Sequence, residues 1–391
     1  MNENNAVKYI KNGSGTPSPR IPEHTRQLLH ELGNPARRMK VIKVFGEVGK
    51  SVLSLRLARM LIEAGYSVGY ICLTHTETAS RDAIRMNGTP ITGALFTESV
   101  NRTAGALGGT AISPTAEELL LATGLVALET LGCNLLVLEI GNTPHSAALA
   151  LEQPLLGIVT KTYDTEVAKQ ICSLLDKSGE ETVSSLQSPD VVRLLTARCA
   201  QVNCRLTSPI KGNFYQMEQT VGKTHFFYDK KEYMLSSGAP YEVDAALTLI
   251  EAYRALIRRG LRLVPAALTA ALRASSDTGH FSIFSLSPTV LMDRATTPTR
   301  LASLLETLAL HRDFLGDTFD VWTTPDCRET VKEGFCAENA PHIRSLLVID
   351  DKNPYKTVKL ALRDRNTDVP LLVLGDHDFI LYVDRTLKGF L

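Results

Sequence analysis

Two glycines, a lysine and a serine stand together in Gly46-Glu47-Val48-Gly49-Lys50-Ser51, directly after the Val- and Ile-rich run Val41–Phe45. The chemistry this spacing serves is anion binding. Backbone N–H groups of a glycine turn converge at a helix start, and the helix dipole adds positive potential at the same point. There Lys50 would supply a mobile cation for β- and γ-phosphates, and the Ser51 hydroxyl a ligand for Mg²⁺. Val44 occupies the place of the first glycine of a full eight-residue P-loop, so the motif is the shorter Gly-x-x-Gly-Lys-Ser. The alternative is a glycine helix start carrying an exposed lysine; a strand before and a helix after favour phosphate. Glu139 is the second candidate, near the end of the apolar run Asn134–Ile140. Ligands of open α/β sheets collect at C-terminal strand ends, and a carboxylate there can complete a Mg²⁺ shell. On position alone, a solvated strand-end carboxylate fits equally well.

The elements that must position these residues follow from periodicity. Alternation over Met39–Phe45 predicts a strand, and Leu53, Leu57, Ala58, Leu61 and Ile62 mark a helix over Ser51–Ala64. Val68–Leu73 then closes a βαβ unit, the building block of parallel sheets. The alternation continues with a helix over Thr115–Leu131, strands at Asn134–Ile140 and Leu155–Thr160, and helices over Val167–Leu175 and Pro189–Gln201. His24–Leu32 is a further expected helix, stopped by Gly33-Asn34-Pro35. A β-rich meander (His225–Tyr228, Glu232–Leu235) precedes helices at Val243–Arg259 and Val264–Arg273. Ser285–Pro288 reads as a hinge to a second α/β alternation, with strands at Thr289–Asp293, Phe319–Thr323, Ser345–Asp350 and Leu371–Gly375. The expected division is a loose start over residues 1–20, an ATP-binding α/β domain over 21–285 and a smaller Rossmann-like α/β domain over 288–391.

Bulk properties narrow the class. The 391 residues exceed one ordinary core, and 44% hydrophobic with 21% charged residues is a globular composition. Lys+Arg and Asp+Glu balance at 42 each, so no global field recruits nucleic acid or an anionic membrane. Seven scattered cysteines, an odd number, read as reduced cytosolic thiols. The polar first twenty residues contain no apolar core of a signal peptide. The longest apolar stretch, Leu119–Leu138, is interrupted by Glu129 and two glycines and reads as a helix and a strand, not a membrane span.

Along most of its length the chain resembles the folylpolyglutamate synthase / dihydrofolate synthase branch of the Mur-ligase superfamily. Leu32-Gly-Asn-Pro35 followed by Met39-Lys-Val-Ile42 is similar to the family's approach to its P-loop, and Glu63–Gly69 to its next helix end and strand. Arg81-Asp-Ala-Ile-Arg-Met-Asn-Gly88 with Pro90-Ile91 resembles the segment "RIRINGEPI" near the folate-binding loop. Leu138-Glu-Ile-Gly141 resembles "LEVGLGG", whose glutamate ligates Mg²⁺, and Asp293 stands at the head of "DGAHNP". The resemblance implies a Mur-ligase-type P-loop domain, a Rossmann-like C-terminal domain, and an ATP-dependent carboxylate–amine ligase. Such an enzyme adds glutamate to a folate-type acceptor through an acyl phosphate, as a cytoplasmic monomer. Lys50 and Glu139 would be catalytic, with Gly46, Gly49, Lys50, Ser51, Asp293 and Arg294 at the ATP phosphates. Ser51 and Glu139 would hold Mg²⁺, and Arg81 and Arg85 the acceptor.

Departures fall on working positions. Ile171 stands where the family carries its carbamylated lysine, and Thr296-Thr297 where it carries His-Asn. His280 replaces the "GRF" arginine, and of the "SPHL" segment only His75 remains, within Thr74–Ser80. The "GLDH" histidine is absent from Thr160–Thr165, and the adenine segment "HQ…N" reads Pro240-Tyr241 with Asp244. Asp164, Glu166, His145 and His280 are candidate substitutes, and Arg294 a replacement phosphate cation. The alternative function is therefore a catalytically impaired nucleotide-binding paralogue with a regulatory or partner role.

Overall fold

The computed structural model describes all residues except 75–80, 109, 144, 176–179, 276–278, 351–353, 366 and 390–391, and omits the side chains of 354, 355 and 364. The chain divides into two compact units, Met1–Gly212 with Asp244–Leu272, and Asn213–Val243 with Arg273–Leu391. The meander thus counts with the C-terminal unit, whereas the composition placed it before a boundary at 285–288.

Among the described residues, the first unit holds one mostly parallel sheet. Its strands are β1 (Lys40–Phe45), β2 (Val68–Cys72), β3 (Ile84–Met86), β4 (Thr89–Pro90), β5 (Leu135–Glu139), β6 (Leu156–Val159), β7 (Glu181–Ser184) and β8 (Arg205–Thr207). They lie in the order β4-β3-β2-β5-β1-β6-β7-β8, with β3 and β4 antiparallel at one edge. Residues of β5 and β6 are fully buried on both faces, as parallel strands sandwiched by helices must be. The flanking helices are α1 (Glu3–Lys11), α2 (Ile21–Glu31), α3 (Lys50–Glu63), α4 (Gly93–Leu107), α5 (Ala116–Thr130), α6 (Thr165–Leu174) and α7 (Pro189–Gln201), with α8 (Pro240–Arg258) and α9 (Pro265–Arg273) later in the chain. Helix α5 starts on a capping box in which Thr115 and Glu118 satisfy each other's backbone. Its Leu119–Leu128 stretch is buried on every side, which explains an apolar run long enough to invite comparison with a membrane span. No helix among the described residues is long and apolar enough to cross a membrane.

The loose start expected for residues 1–20 is a helix over Glu3–Lys11 instead. Asn2 caps it, and Ala6 and Ile10 are completely buried in the core shared with α4 and α5. Two apolar residues four apart make one helical stripe, too little for composition to register in a polar segment.

The second unit contains a small antiparallel sheet, β11-β10-β9 (Phe214–Thr220, Lys223–Tyr228 and Lys231–Leu235 for β9 to β11). Beside it is a five-stranded sheet in the order β12-β13-β16-β14-β15, formed by Ser282–Leu286, Thr289–Asp293, Thr318–Thr323, His342–Val348 and Leu371–Leu374 for β12 to β16. Strands β13 to β16 are parallel. Their side chains alternate between two cores: Leu291, Val321, Leu372 and Leu374 face the one containing Leu301 and Leu304 of α10 (Pro298–Leu310), while Val290, Met292, Trp322 and Val373 face the other. That second core includes Val358 of α13 (Pro354–Asp364) and Ile380 and Val383 of α14 (His377–Lys388), the shorter α11 (Arg312–Leu315) and α12 (Arg328–Phe335) lying between α10 and α13 in sequence. Helices on both faces of a parallel sheet give the expected Rossmann-like arrangement. The hinge read at Ser285–Pro288 is the turn of the β12–β13 hairpin, where Leu286 pairs with Thr289. Pro and Ser mark a reversal and a linker equally well.

Candidate functional site

The loop Gly46–Gly49 leaves β1 at the C-terminal edge of the first sheet and enters α3 at Lys50. Register fixes what stands beside it, because Val44 is paired with Glu139 on β5 and Phe45 with Val159 on β6. Gly49, the N-cap, has φ 83° and Gly46 has φ 127°, conformations open to glycine. At Gly46 space also forbids a side chain, since a Cβ would come 2.1 Å from Thr160 Oγ1. That hydroxyl is buried without a hydrogen-bond partner among the described residues.

The loop is held shut by its own donors. Glu47 N–H and Val48 N–H donate to the Lys161 carbonyl at 3.1 and 3.0 Å. Glu47 carboxylate accepts from the N–H groups of Tyr163 and Asp164 at 3.0 and 3.3 Å. The Lys50 ammonium is buried and donates to Gly46 O and, at 3.5 Å, to Glu47 O. What the loop offers an anion is therefore the first turn of α3, whose N–H groups have no intrahelical acceptor, together with Lys50 once it swings outward.

Glu139 closes the other side. It is completely buried, and its Oε1 accepts from Ser51 Oγ at 2.9 Å and Thr74 Oγ1 at 3.2 Å, while Oε2 accepts from Tyr70 OH at 2.7 Å. No ion pair reaches this carboxylate among the described residues. Burial, then Cys72 and Glu139 nearby, push the Tyr70 phenol well above its usual range, so it stays a donor. Burial likewise raises the Cys72 thiol. Three hydroxyls around one carboxylate form a set of hard oxygen donors, the type Mg²⁺ takes, usually with one or two carboxylates and substrate phosphates. No cluster of three carboxylate, histidine or cysteine ligands occurs among the described residues.

Other residues singled out in the sequence are placed as follows. Arg81 is exposed and pairs with Glu3 at 3.5 Å; Arg85 sits on β3 opposite Tyr70 and donates to Asp82 O at 3.4 Å. His75 lies outside the described residues. Asp164 caps α6 by accepting from Glu166 N–H at 2.7 Å, and Glu166 pairs with Lys169 at 2.6 Å, so both serve the helix end. His145 sits in a loop at φ 65°. Ile171 is fully buried in the first unit's core. Asp244 is pushed up by burial, against the pull of Lys161 and Lys211.

In the second unit Asp293 ends β13 and Arg294 follows. Asp293 Oδ2 accepts from Phe281 N–H at 2.6 Å and Tyr241 OH at 3.3 Å. Burial pushes this carboxyl up to about 6, although the Phe281 N–H, Arg294, Tyr241 and Arg300 pull the other way. Arg294 donates to His377 Nδ1 at 3.1 Å and faces both His280 ring nitrogens, at 3.0 and 2.7 Å. A guanidinium has only donors, so His377 Nδ1 and one of the two His280 nitrogens, the one that carries the lone pair in the neutral ring, accept from it. Thr297 caps α10 and accepts from Arg300 N–H at 3.4 Å, and Thr296 N–H donates to Arg294 O at 2.9 Å.

Sequence reasoning missed Tyr70, Thr74, Glu47 and Lys161. Only Glu47 carried a signal, as a loop residue; the others reach the site through strand register, which no local motif encodes.

No protein-family profile matches the sequence, and no curated protein matches it. Solved structures do. The apo form of Lactobacillus casei folylpolyglutamate synthase superposes with a TM-score of 0.81 at 18% identity, covering 100% of both chains. Thermotoga maritima folylpolyglutamate synthase gives 0.79 at 18% identity, over 100% of this chain and 97% of that one. The Mycobacterium tuberculosis folylpolyglutamate synthase, complexed with ADP and AMPPCP, gives 0.76 at 16% identity over 99% of each chain. The α/β architecture of this chain is thus the folylpolyglutamate synthase fold.

Proposed function

We propose, from the premise that this chain has the folylpolyglutamate synthase fold, that it binds ATP at Gly46–Ser51 and acts as an ATP-dependent carboxylate–amine ligase. The reading adds glutamate to a folate-type acceptor through an acyl phosphate. One observation carries it: the Lys50–Ser51 helix start and the buried Glu139 meet at the same sheet edge, joined by the 2.9 Å Ser51–Glu139 contact. Gly49 and the first turn of α3 would receive the phosphates, and Lys50 would leave Gly46 O and Glu47 O to neutralise them. Ser51 and Glu139 would hold Mg²⁺, which when bound offsets charge on the nucleotide. Asp293 and Arg294 are the phosphate candidates of the second unit, and Arg81 and Arg85 those for the acceptor.

A second reading, an impaired nucleotide-binding paralogue with a regulatory or partner role, has its own support. Ile171 is buried in the core where the resemblance expects a metal-site lysine. Arg294 is committed to two imidazoles.

The test measures ATP binding and ADP release together, with Mg²⁺, a tetrahydrofolate and glutamate. Acceptor- and glutamate-dependent ADP release that falls by about 100-fold or more in Lys50→Ala supports the ligase. Binding without release supports the paralogue. No binding by the wild-type chain overturns both.

A further inference from the structure

The second unit contains a cavity of about 510 Å³ that has no part in the ligase reading. Its volume lies within the roughly 300–1,000 Å³ typical of small-ligand sites. Phe284, Pro288, Val290, Leu362 and Leu387 make an apolar floor between the β12–β13 hairpin and helices α13 and α14. Lys356, Lys359, Arg363 and Arg365 stand in the wall, and no acidic residue lines it among the described residues. Positions 356, 359 and 363 share one face of α13, spanning two turns or roughly 10 Å. An amphipathic helix ordinarily turns such residues to solvent, with stems along apolar surface; here they overlook a hollow. Arg365 is fastened by bonds to Thr289 O at 3.3 Å and Val369 O at 2.6 Å. Its Nε is buried and has no hydrogen-bond partner among the described residues. Leu360, 44% exposed, leaves the mouth open to a ligand.

We propose that this cavity binds an amphipathic anion, an acyl chain bearing a carboxylate, with the chain on the Phe284–Val290–Leu387 floor and the headgroup at Lys359, Arg363 and Arg365. An apolar floor contributes in proportion to the area it covers. A headgroup reaching the exposed Lys359 and Arg363 and the half-buried Arg365 forms charge-assisted hydrogen bonds. An inorganic anion lacks the first contribution and a neutral alcohol the second, so only their combination fits well. The cavity's residues all belong to the second unit and those of the phosphate loop to the first.

The experiment is titration calorimetry of the full chain with decanoate, hexanoate, 1-decanol and inorganic phosphate. Expected are one saturable decanoate site, affinity rising roughly fourfold per added methylene, and binding by decanol or phosphate at least tenfold weaker. Lys359→Glu with Arg363→Glu, both exposed positions, should weaken decanoate tenfold or more while ATP binding is unchanged. Lys359→Gln with Arg363→Gln, checked by thermal unfolding, repeats the test without introduced repulsion. Decanol binding as tightly as decanoate, affinity independent of chain length, or no response to either double variant overturns the proposal. Absence of saturable decanoate binding overturns it as well, and leaves the hollow as a surface for a protein partner.

Discussion

Glu139 and Asp293 end homologous-looking strands, each at the C-terminal edge of a parallel sheet with a loop and a helix beyond. Their surroundings differ in kind. Around Glu139 stand three hydroxyls and, nearby, a lysine folded onto its own loop. Around Asp293 stand a backbone N–H and a phenol, while the adjacent arginine is engaged by imidazoles. Under the proposed function, the first edge would receive a divalent cation and a polyphosphate with little more than rotation of Lys50. The second must either break Arg294 away from His280 and His377 or receive its ligand through a rebuilt set of donors. Position in the fold thus marks where a site can be, and side-chain partners decide what it can hold.

Four measurements break or sharpen that contrast. The largest effect is expected for Lys50→Ala, with ATP-dependent ADP release down by about 100-fold or more; a smaller loss places the phosphate elsewhere. For Asp293 the effect is on stability. Its folded pKa of about 6 lies above the ordinary 3.8, so between these values the folded state holds the proton that the unfolded state has lost. Stability from this group is present below about pH 4 and is lost as pH rises through about 6, by up to about 3 kcal/mol. Urea unfolding of Asp293→Asn at pH 4 and pH 7 should lack that decline relative to wild type; equal slopes would mean Asp293 is ordinarily ionised. Glu139→Gln keeps the size and two hydrogen-bonding atoms but removes the charge. Mg²⁺-dependent ATP affinity should fall about tenfold, with Mg²⁺-free binding little changed; an equal loss in both would count against a metal role. The smallest effect belongs to Arg294→Gln, expected to change ATP affinity by less than about threefold because the imidazoles already hold that side chain. A tenfold loss would make the second edge a phosphate site after all and erase the contrast.

Much of the fold is legible in the residues. Strand β13 and helix α7 match their expected limits at Thr289–Asp293 and Pro189–Gln201, and most others differ by one to three residues at an end. Both depend on local signals, an apolar run closed by polar residues and a Ser-Pro helix start. Helices α4 and α14 were not expected from the sequence, although α14 is strongly amphipathic. Within the candidate site, the Gly-x-x-Gly-Lys-Ser turn is likewise local. The oxygen cage around Glu139 is not: Tyr70, Thr74 and Ser51 come from residues 65 to 88 positions away.

By itself the sequence determined the strand–glycine turn–helix that presents Lys50 and Ser51, and the alternation that makes two parallel sheets. Those features arise from hydrophobic period and backbone freedom acting between near neighbours. Tertiary structure alone decided that Glu139 is caged by hydroxyls, that Lys161 O occupies two loop donors, that Ile171 belongs to the core, and that Ala6 and Ile10 anchor the first helix. Each of these depends on strand order and register between distant segments, and a pattern read along one segment carries no information about the face another will offer it.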